Sequence, residues 1–490
     1  MSSKQASTTP AQRTGTLKTA SLGVPAIVFF VVAAAAPLAA TLGAGPLLFT
    51  FAGAGAPAMY VIASGVLLLF GIGFAAMSRH HTSAGGFAAF AAKGLGRYAG
   101  YATAGVAILA YAGMLIGLFG QFAVFTADLF SSMFGLSVPW QVIALVGLVV
   151  VGVFGYLDVR LSAGVLGVLM ILEVLVLLVF DVAVIASGGA DGLTLDAFAP
   201  ANVFTPAMGA GLLFAFSCFV GFEATVIYGE EARSPKKTVA RATYTAILAI
   251  GIIYTLTMFA IGLAYGSGAV QNAAIDNPVE FVFAVNTQYV GEWSTVIMRI
   301  LVVTSLFAVL LAFHNTLSRY LFSLGRARLL ATAFARTHPR YGSPSVASIA
   351  LTVVTAVVLV TFMLAQADPF LNLYLWLVGI GTLGVLILQA AGAAAVVGYF
   401  LRNRRESANP WSSYIAPALG GIGLIATIVF AVVNTPLLTG VTDGPLTLLP
   451  VLLIVAALAG LIAGIVRSRG GQTVDLVAEA ESVRGADDPS

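Results

Sequence analysis

Charge is scarce in this sequence. Asp, Glu, Lys and Arg together make up 9% of the 490 residues, against roughly 25% in an ordinary soluble domain. A water-exposed globular fold of such composition would aggregate, so a soluble enzyme is excluded first. Cysteine is nearly absent too: Cys218 stands alone, which rules out an intramolecular disulfide framework and any site built from several thiolates. His80, His81, His314 and His338 are scattered, and no Gly-Lys-Ser/Thr phosphate loop occurs, which argues against ATP-driven pumping. Nothing pairs a nucleophile with a base at membrane depth, so an intramembrane enzyme is not expected. Neither is a metal or organic cofactor.

Hydrophobic residues supply 59% of the chain, gathered into runs long enough to cross a hydrocarbon core of about 30 Å as helices. The runs do not alternate, as 143–153 and 451–463 show, so a transmembrane barrel is excluded. Twelve spans are expected, at 22–49, 57–77, 97–130, 138–157, 160–187, 204–229, 240–265, 294–322, 344–366, 370–401, 413–435 and 447–467. Ala33 to Ala36 resemble a cleavage site, but the apolar run continues to Phe49. That is too long for a signal peptide, and the helix is expected to be retained.

Basic residues test this division independently, because cytoplasmic loops collect Lys and Arg. With the N-terminus inside, every one of the 23 Lys and Arg residues except Arg299 falls in or beside a cytoplasmic segment. Acids gather at the other side, including Asp128, Asp191, Asp196, Asp276, Glu280, Asp368 and Asp443. The expectation is a multi-pass protein of the cytoplasmic (inner) membrane with both termini cytoplasmic. The net charge of +3 is then a topology signal and implies no nucleic-acid partner.

Two spans are interrupted. Span one carries Pro37 in mid-membrane after Ala33-Ala34-Ala35-Ala36, and proline removes a backbone donor and clashes with the preceding turn. Span six reads Phe216-Ser217-Cys218-Phe219-Val220-Gly221-Phe222-Glu223, small and polar where its flanks are apolar. Either break alone is as readily a harmless kink. Together they head two consecutive groups of five helices, and an odd number forces the second group to run inverted. Broken helices at matching positions of inverted repeats point to a transport site near the midplane.

The stretch Tyr228-Gly229-Glu230-Glu231-Ala232-Arg233-Ser234-Pro235-Lys236-Lys237-Thr238-Val239 resembles the signature of the amino acid, polyamine and organocation permease superfamily. Ser83 to Gly86 with Gly94 to Gly100, Phe219 to Glu223, and Asn315 to Arg319 leading to Gly342-Ser343-Pro344 agree with it. The resemblance covers roughly residues 20 to 405 and implies the leucine-transporter-like fold, an all-α membrane protein with a 5+5 inverted repeat and broken helices one and six. On that pattern residues 1–20 are a polar tail and 21–405 the ten-helix core, with repeats at about 22–187 and 204–401. Two peripheral helices at 406–470 and a second polar tail at 471–490 follow. Span one departs from the family, because alanines and Pro37 stand where many relatives have a Gly-x-Gly break. It resembles instead the branch that includes putrescine importers and related bacterial permeases.

A zwitterionic amino acid needs donors for its carboxylate and acceptors for its ammonium, and broken helices supply both from backbone groups. Substrate is therefore expected between Ala35, Ala36, Pro37 and Leu38 of span one and Ser217, Cys218 and Gly221 of span six. Phe216, Phe219 and Phe222 would wall it, or else serve ordinary packing. Tyr111 and Trp376 are weaker candidates by family position, read first as packing residues.

Buried ionisable residues carry the remaining expectations, since a charge at mid-bilayer costs at least about 2.5–3.5 kcal/mol. Glu173 lies about 13 residues, roughly 20 Å, into span five, with no partner nearby in sequence. A carboxyl so placed would hold a proton much of the time, as a coupling group must; a neutral structural carboxyl is the alternative. Glu223 resembles a gating or coupling residue of relatives, or caps the broken helix. Asp181, nearer the outer end, is expected to be hydrated. Arg299 would snorkel to the interface or form an external gate with an acid such as Glu280. Asn315 and Thr316 offer oxygens where sodium-coupled relatives hold their ion, although Asn315 also suits a backbone bond.

The expected function is secondary active import of an amino acid or related amine by alternating access, coupled to protons or, less favoured, to sodium. A polyamine or organic-cation transporter or exchanger of the same fold is the alternative. A non-transporting sensor or scaffold is disfavoured, because tails of about 20 residues are too short and polar for a signalling domain. Expected partners are the small-molecule substrate and membrane lipid.

Overall fold

Residue order along the chain already fixes where its helices start and stop. The computed structural model describes residues 23–80, 86–159, 163–223, 235–407, 409–440, 445–469 and 476, and among these every regular element is helical. The signature stretch 228–234, Ser83 to Gly85, Arg160, the N-terminal polar tail and all of the C-terminal one except Leu476 lie outside the described residues.

The chain opens with α1 (Val24–Ala35) and α2 (Pro37–Ala52), separated by Ala36 in the left-handed conformation, φ 46° and ψ 72°. The cause is local. Pro37 disfavours helical geometry at the residue before it, and proline is itself well suited to the first position of a new helix. The interruption expected in span one therefore falls at Ala36. Next come α3 (Ala56–Ser78), the short α4 (Gly86–Leu95), α5 (Arg97–Phe134), α6 (Trp140–Tyr156) and α7 (Ala163–Ser187). Then α8 (Met208–Ser217) ends at the second expected break, where the chain turns through Cys218 to Glu223 with Gly221 at φ 112°.

The second half contains α9 (Pro235–Tyr265), two short helices α10 (Val270–Asp276) and α11 (Phe281–Tyr289), and the long α12 (Glu292–Arg326). It continues with α13 (Ser345–Leu364), α14 (Leu375–Arg402) entered through a wider turn at Pro369–Tyr374, α15 (Ala416–Val433) and α16 (Val451–Arg469). Among the described residues nine helical segments are long and apolar enough to cross a membrane, one of them running from Pro37 to Ser78 through α2 and α3. Val24–Ala33, Trp140–Tyr156 and Met208–Ser217 are shorter apolar helices.

The halves share a local design. A 10-residue α4 precedes the 38-residue α5, and a 9-residue α11 precedes the 35-residue α12. Each long helix starts at a glycine in a conformation closed to other residues, Gly96 at φ 107°, ψ 165° and Gly291 at φ 118°, ψ 167°. The two long helices pack on each other, α3 packs on α9, and α2 packs on α8.

Small residues bring backbones into contact elsewhere: a side chain at Gly94 would collide with the carbonyl of Ala395, and one at Gly105 with that of Ala456. Such close approach is how helices associate where lipid removes the hydrophobic drive between them. The outward faces are apolar, with Val149 62%, Val182 65%, Val357 61% and Ile454 60% exposed. Side chains of this kind over so large a surface require lipid around them.

Candidate functional site

The break at Ala36 leaves backbone groups unpaired by either helix, and two side chains from distant spans take up an amide and a carbonyl there, while a third bonds the first turn of α2. Glu173 of α7, 3% exposed, accepts the N–H of Leu38 at 3.2 Å and is also bonded by the Ser305 hydroxyl of α12. Tyr254 of α9 donates to the carbonyl of Ala35 at 3.0 Å. Gln121 of α5 donates to the carbonyl of Ala39 at 2.7 Å. The α2 N-terminus thus faces a carboxyl, the sign its dipole favours, while the Ala35 carbonyl at the end of α1 receives a donor. Glu173 has no partner near it in sequence, yet the fold supplies two.

At the second break Ser217 turns back onto the carbonyl of Phe214 at 2.6 Å, so its hydroxyl closes its own helix. Cys218, 5% exposed, lies 3.1 Å from the Tyr60 hydroxyl of α3 and bonds the Phe214 carbonyl. Beyond it Glu223 accepts the N–H of Gly221 at 2.9 Å, and its other oxygen accepts the Tyr111 hydroxyl at 2.9 Å. Glu223 therefore caps the turn and ties it to α5. Tyr111, read from the sequence as packing, holds this carboxylate.

Tyr254 joins the two breaks. Its hydroxyl bonds Ala35, while its ring packs 5.3 Å from that of Tyr60 and 6.3 Å from that of Phe219. Ala36, Leu38, Phe216, Cys218 and Phe219 are all buried around this junction. Phe222 points elsewhere, edge-on to Phe70 in an aromatic cluster of α3 and α4. Gly43 lets Gln121 and the Tyr374 hydroxyl close on α2, for a side chain there would collide with both.

Other candidates are not part of the junction. Asn315 donates to the carbonyl of Val159 at 3.2 Å, the backbone bond expected as its alternative, and Thr316 is exposed. The two do not converge on the breaks. Trp376 packs on Phe362 and lines a depression with Leu213 and Leu438. Asp181, expected to be hydrated, is 1% exposed; one oxygen accepts Thr257 at 3.0 Å and the other has no partner among the described residues. Arg299 does not snorkel. Its guanidinium is held by Asp128 and Glu280 over the ring of Phe283, 4.2 Å away. No cluster of metal-ligating residues occurs among the described residues.

Sequence reasoning missed Tyr60, Tyr254, Tyr374, Gln121 and Ser305. A signal existed, because tyrosines of membrane helices favour the interfaces and Tyr254 sits deep in its span, as does Gln121 in α5.

Comparison with known proteins agrees with this architecture. A chain segment of 271 residues, 55% of the chain, is 27% identical to an uncharacterized transporter of Mycobacterium tuberculosis and covers 56% of it. The branched-chain amino acid permease BcaP of Bacillus subtilis is 28% identical over 199 residues, 39% of this chain and 40% of that protein. Cationic amino acid transporter 7 of Arabidopsis thaliana, a chloroplastic protein, is 24% identical over 180 residues, 37% and 29% of the two chains. The chain spans a little over half the length of the first of these relatives and less of the others. The family model for amino acid permeases matches residues 22–458, nearly the whole sequence. With its helices broken at Ala36 and at Cys218 to Glu223, this multi-pass membrane chain belongs to the amino acid permease family.

Proposed function

We propose that the protein imports an amino acid across the cytoplasmic membrane by alternating access, driven by protons through Glu173. The observation that carries this reading is the Glu173 carboxyl seated on the Leu38 N–H at the break of the first span. A titratable group in direct contact with the hinge between two half-helices senses both the proton and the conformation. Substrate would lie between Ala35 to Leu38 and Cys218 to Gly221, with its carboxylate at the α2 N-terminus and its ammonium toward freed carbonyls. The names of the Bacillus and Arabidopsis relatives favour amino acids as the cargo class.

The same reading takes the chain as twelve spans in a 5+5 inverted repeat with both termini cytoplasmic. It is supported by the matched breaks, by the paired short-helix, glycine, long-helix units at Gly96 and Gly291, and by the basic-residue asymmetry. The second repeat would then rock against the first, and the Arg299 cluster would lie at the external end.

The test is uptake of radiolabelled amino acids into proteoliposomes without sodium, driven by an inward proton gradient. Wild type should accumulate substrate uphill. Glu173→Gln should keep substrate exchange and lose gradient-driven accumulation. Uphill uptake by Glu173→Gln at the wild-type rate, or uptake that requires sodium and ignores pH, would overturn the proton route.

A further inference from the structure

Few donors are left at the start of α2. Pro37 has no N–H, and the N–H of Ala40 returns to the carbonyl of Ala36 at 2.9 Å, so Leu38 and Ala39 carry the N–H groups that helix geometry leaves for outside acceptors. Glu173 takes that of Leu38. One turn further along, Thr41 is fully buried and its hydroxyl has no partner among the described residues, although its Cα–Cβ bond leans back toward the Leu38 turn. Other buried hydroxyls share this state, Ser64 and Thr355 among them; what sets Thr41 apart is its place one turn from the Leu38 amide on the same helix. The position therefore combines a protein carboxylate on the amide with an unused donor beside it.

We propose that Glu173 and the carboxylate of the substrate compete for the Leu38 N–H, so that an amino acid binds only when Glu173 has taken a proton and released it. This rests on the reading above and adds its coupling step. A hydronium ion gives its proton to the Glu173 carboxylate and is left as water, the N–H of Leu38 passes from Glu173 to the substrate carboxylate, and Thr41 donates to the same ligand. No covalent bond forms other than that O–H. Two ionised carboxylates at one helix N-terminus repel, so proton and substrate enter together and leave together.

The surroundings leave Glu173 as the titrating group. The helices packed on α7 are α1, α2, α9, α11 and α12, and α1 and α2 contain no ionisable side chain. From α9, Tyr254 donates to Ala35 and Tyr265 to Phe281, with Tyr244 and Arg241 nearer the opposite end. From α12, Arg299 is held by Asp128 and Glu280 and His314 is bonded to Ser348, while Glu292, Arg319, Tyr320 and Arg326 lie toward its two ends. From α11, Tyr289 donates to Ala264. On α7 itself, Asp181 is two turns away, bonded to Thr257. None of these forms an ion pair with Glu173 among the described residues.

The experiment compares an amino acid with the amine left when its carboxylate is removed. A thermal-shift screen of the purified full chain with the standard amino acids selects the tightest binder; that amino acid and its decarboxylated amine are then titrated calorimetrically, in buffers of different ionisation enthalpy, across neutral pH. Wild type should take up about one proton per amino acid and none with the amine, and amino acid affinity should fall about tenfold per pH unit above the Glu173 titration. Glu173→Gln should bind the amino acid with no pH dependence. Proton uptake with both ligands would overturn the competition while leaving proton coupling in place. Uptake with neither, together with transport indifferent to pH, would overturn both, as would a screen in which no amino acid stabilises the protein. The wild-type proton count decides the matter even if Glu173→Gln fails to fold.

Discussion

Arg299 grips Glu280 through two hydrogen bonds of 2.8 and 2.9 Å from one guanidinium nitrogen, while its other nitrogen meets Asp128. The cluster fastens α12 to the start of α11 and to the end of α5, three elements that must separate if that end of the bundle opens. Arg299→Met would leave two acids facing each other without a cation. Loss of a buried partner costs about 3–5 kcal/mol, and partial exposure of Glu280 reduces this to about 1–3 kcal/mol. Thermal unfolding in detergent should rank wild type above Arg299→Lys and that above Arg299→Met, since lysine keeps the charge but not the fork. A methionine variant as stable as wild type would show that the cluster contributes no net stability.

Gly221 lies at φ 112°, and no described residue comes within 4 Å of where a side chain would project. Substitution there strains the backbone, by about 1–3 kcal/mol, without meeting any of the described residues. Gly221→Ala and Gly221→Leu should therefore lose uptake to a similar degree while still reaching the membrane. If alanine transports normally and leucine does not, side-chain bulk and not backbone conformation governs the second break.

Asp181 has one oxygen on Thr257 and, among the described residues, one with no partner and no ion pair, in a fully buried setting. An ionised carboxylate would be costly there, so the amide isostere should be accepted. Asp181→Asn is expected to unfold at or above the wild-type temperature, and Asp181→Ala below it, because it strands Thr257 at a cost of about 1–3 kcal/mol. A marked loss of stability in Asp181→Asn would reveal an ionised aspartate.

The proposed sidedness rests on the distribution of basic residues and can be checked without a substrate. In a Cys218→Ala background, Gly192→Cys should react with a membrane-impermeant thiol reagent from outside intact cells, and Arg405→Cys only after the membrane is opened. Both positions are exposed. Labelling of both from one side would remove the twelve-span arrangement and the inverted repeat together.

The sequence alone determined the helical, membrane-spanning character of the chain, the break beside Pro37 and the unusual depth of Glu173. Each is a local property: hydropathy adds up within one run of residues, a proline disturbs its own turn, and depth is counted from the end of the same helix. Tertiary structure decided the partners. Leu38 meets Glu173 across 135 residues of chain, Tyr254 reaches Ala35 across 219, and Arg299 finds Asp128 across 171. Such pairs depend on which helices pack together and on how each is rotated, and a uniformly apolar helix carries little periodic signal for its rotation. For the same reason Thr316, adjacent in sequence to Asn315, ended on the exposed face while Asn315 turned to Val159. Neighbours in a helix point about 100° apart, so two adjacent residues need not face the same way, and only packing selects which turns inward.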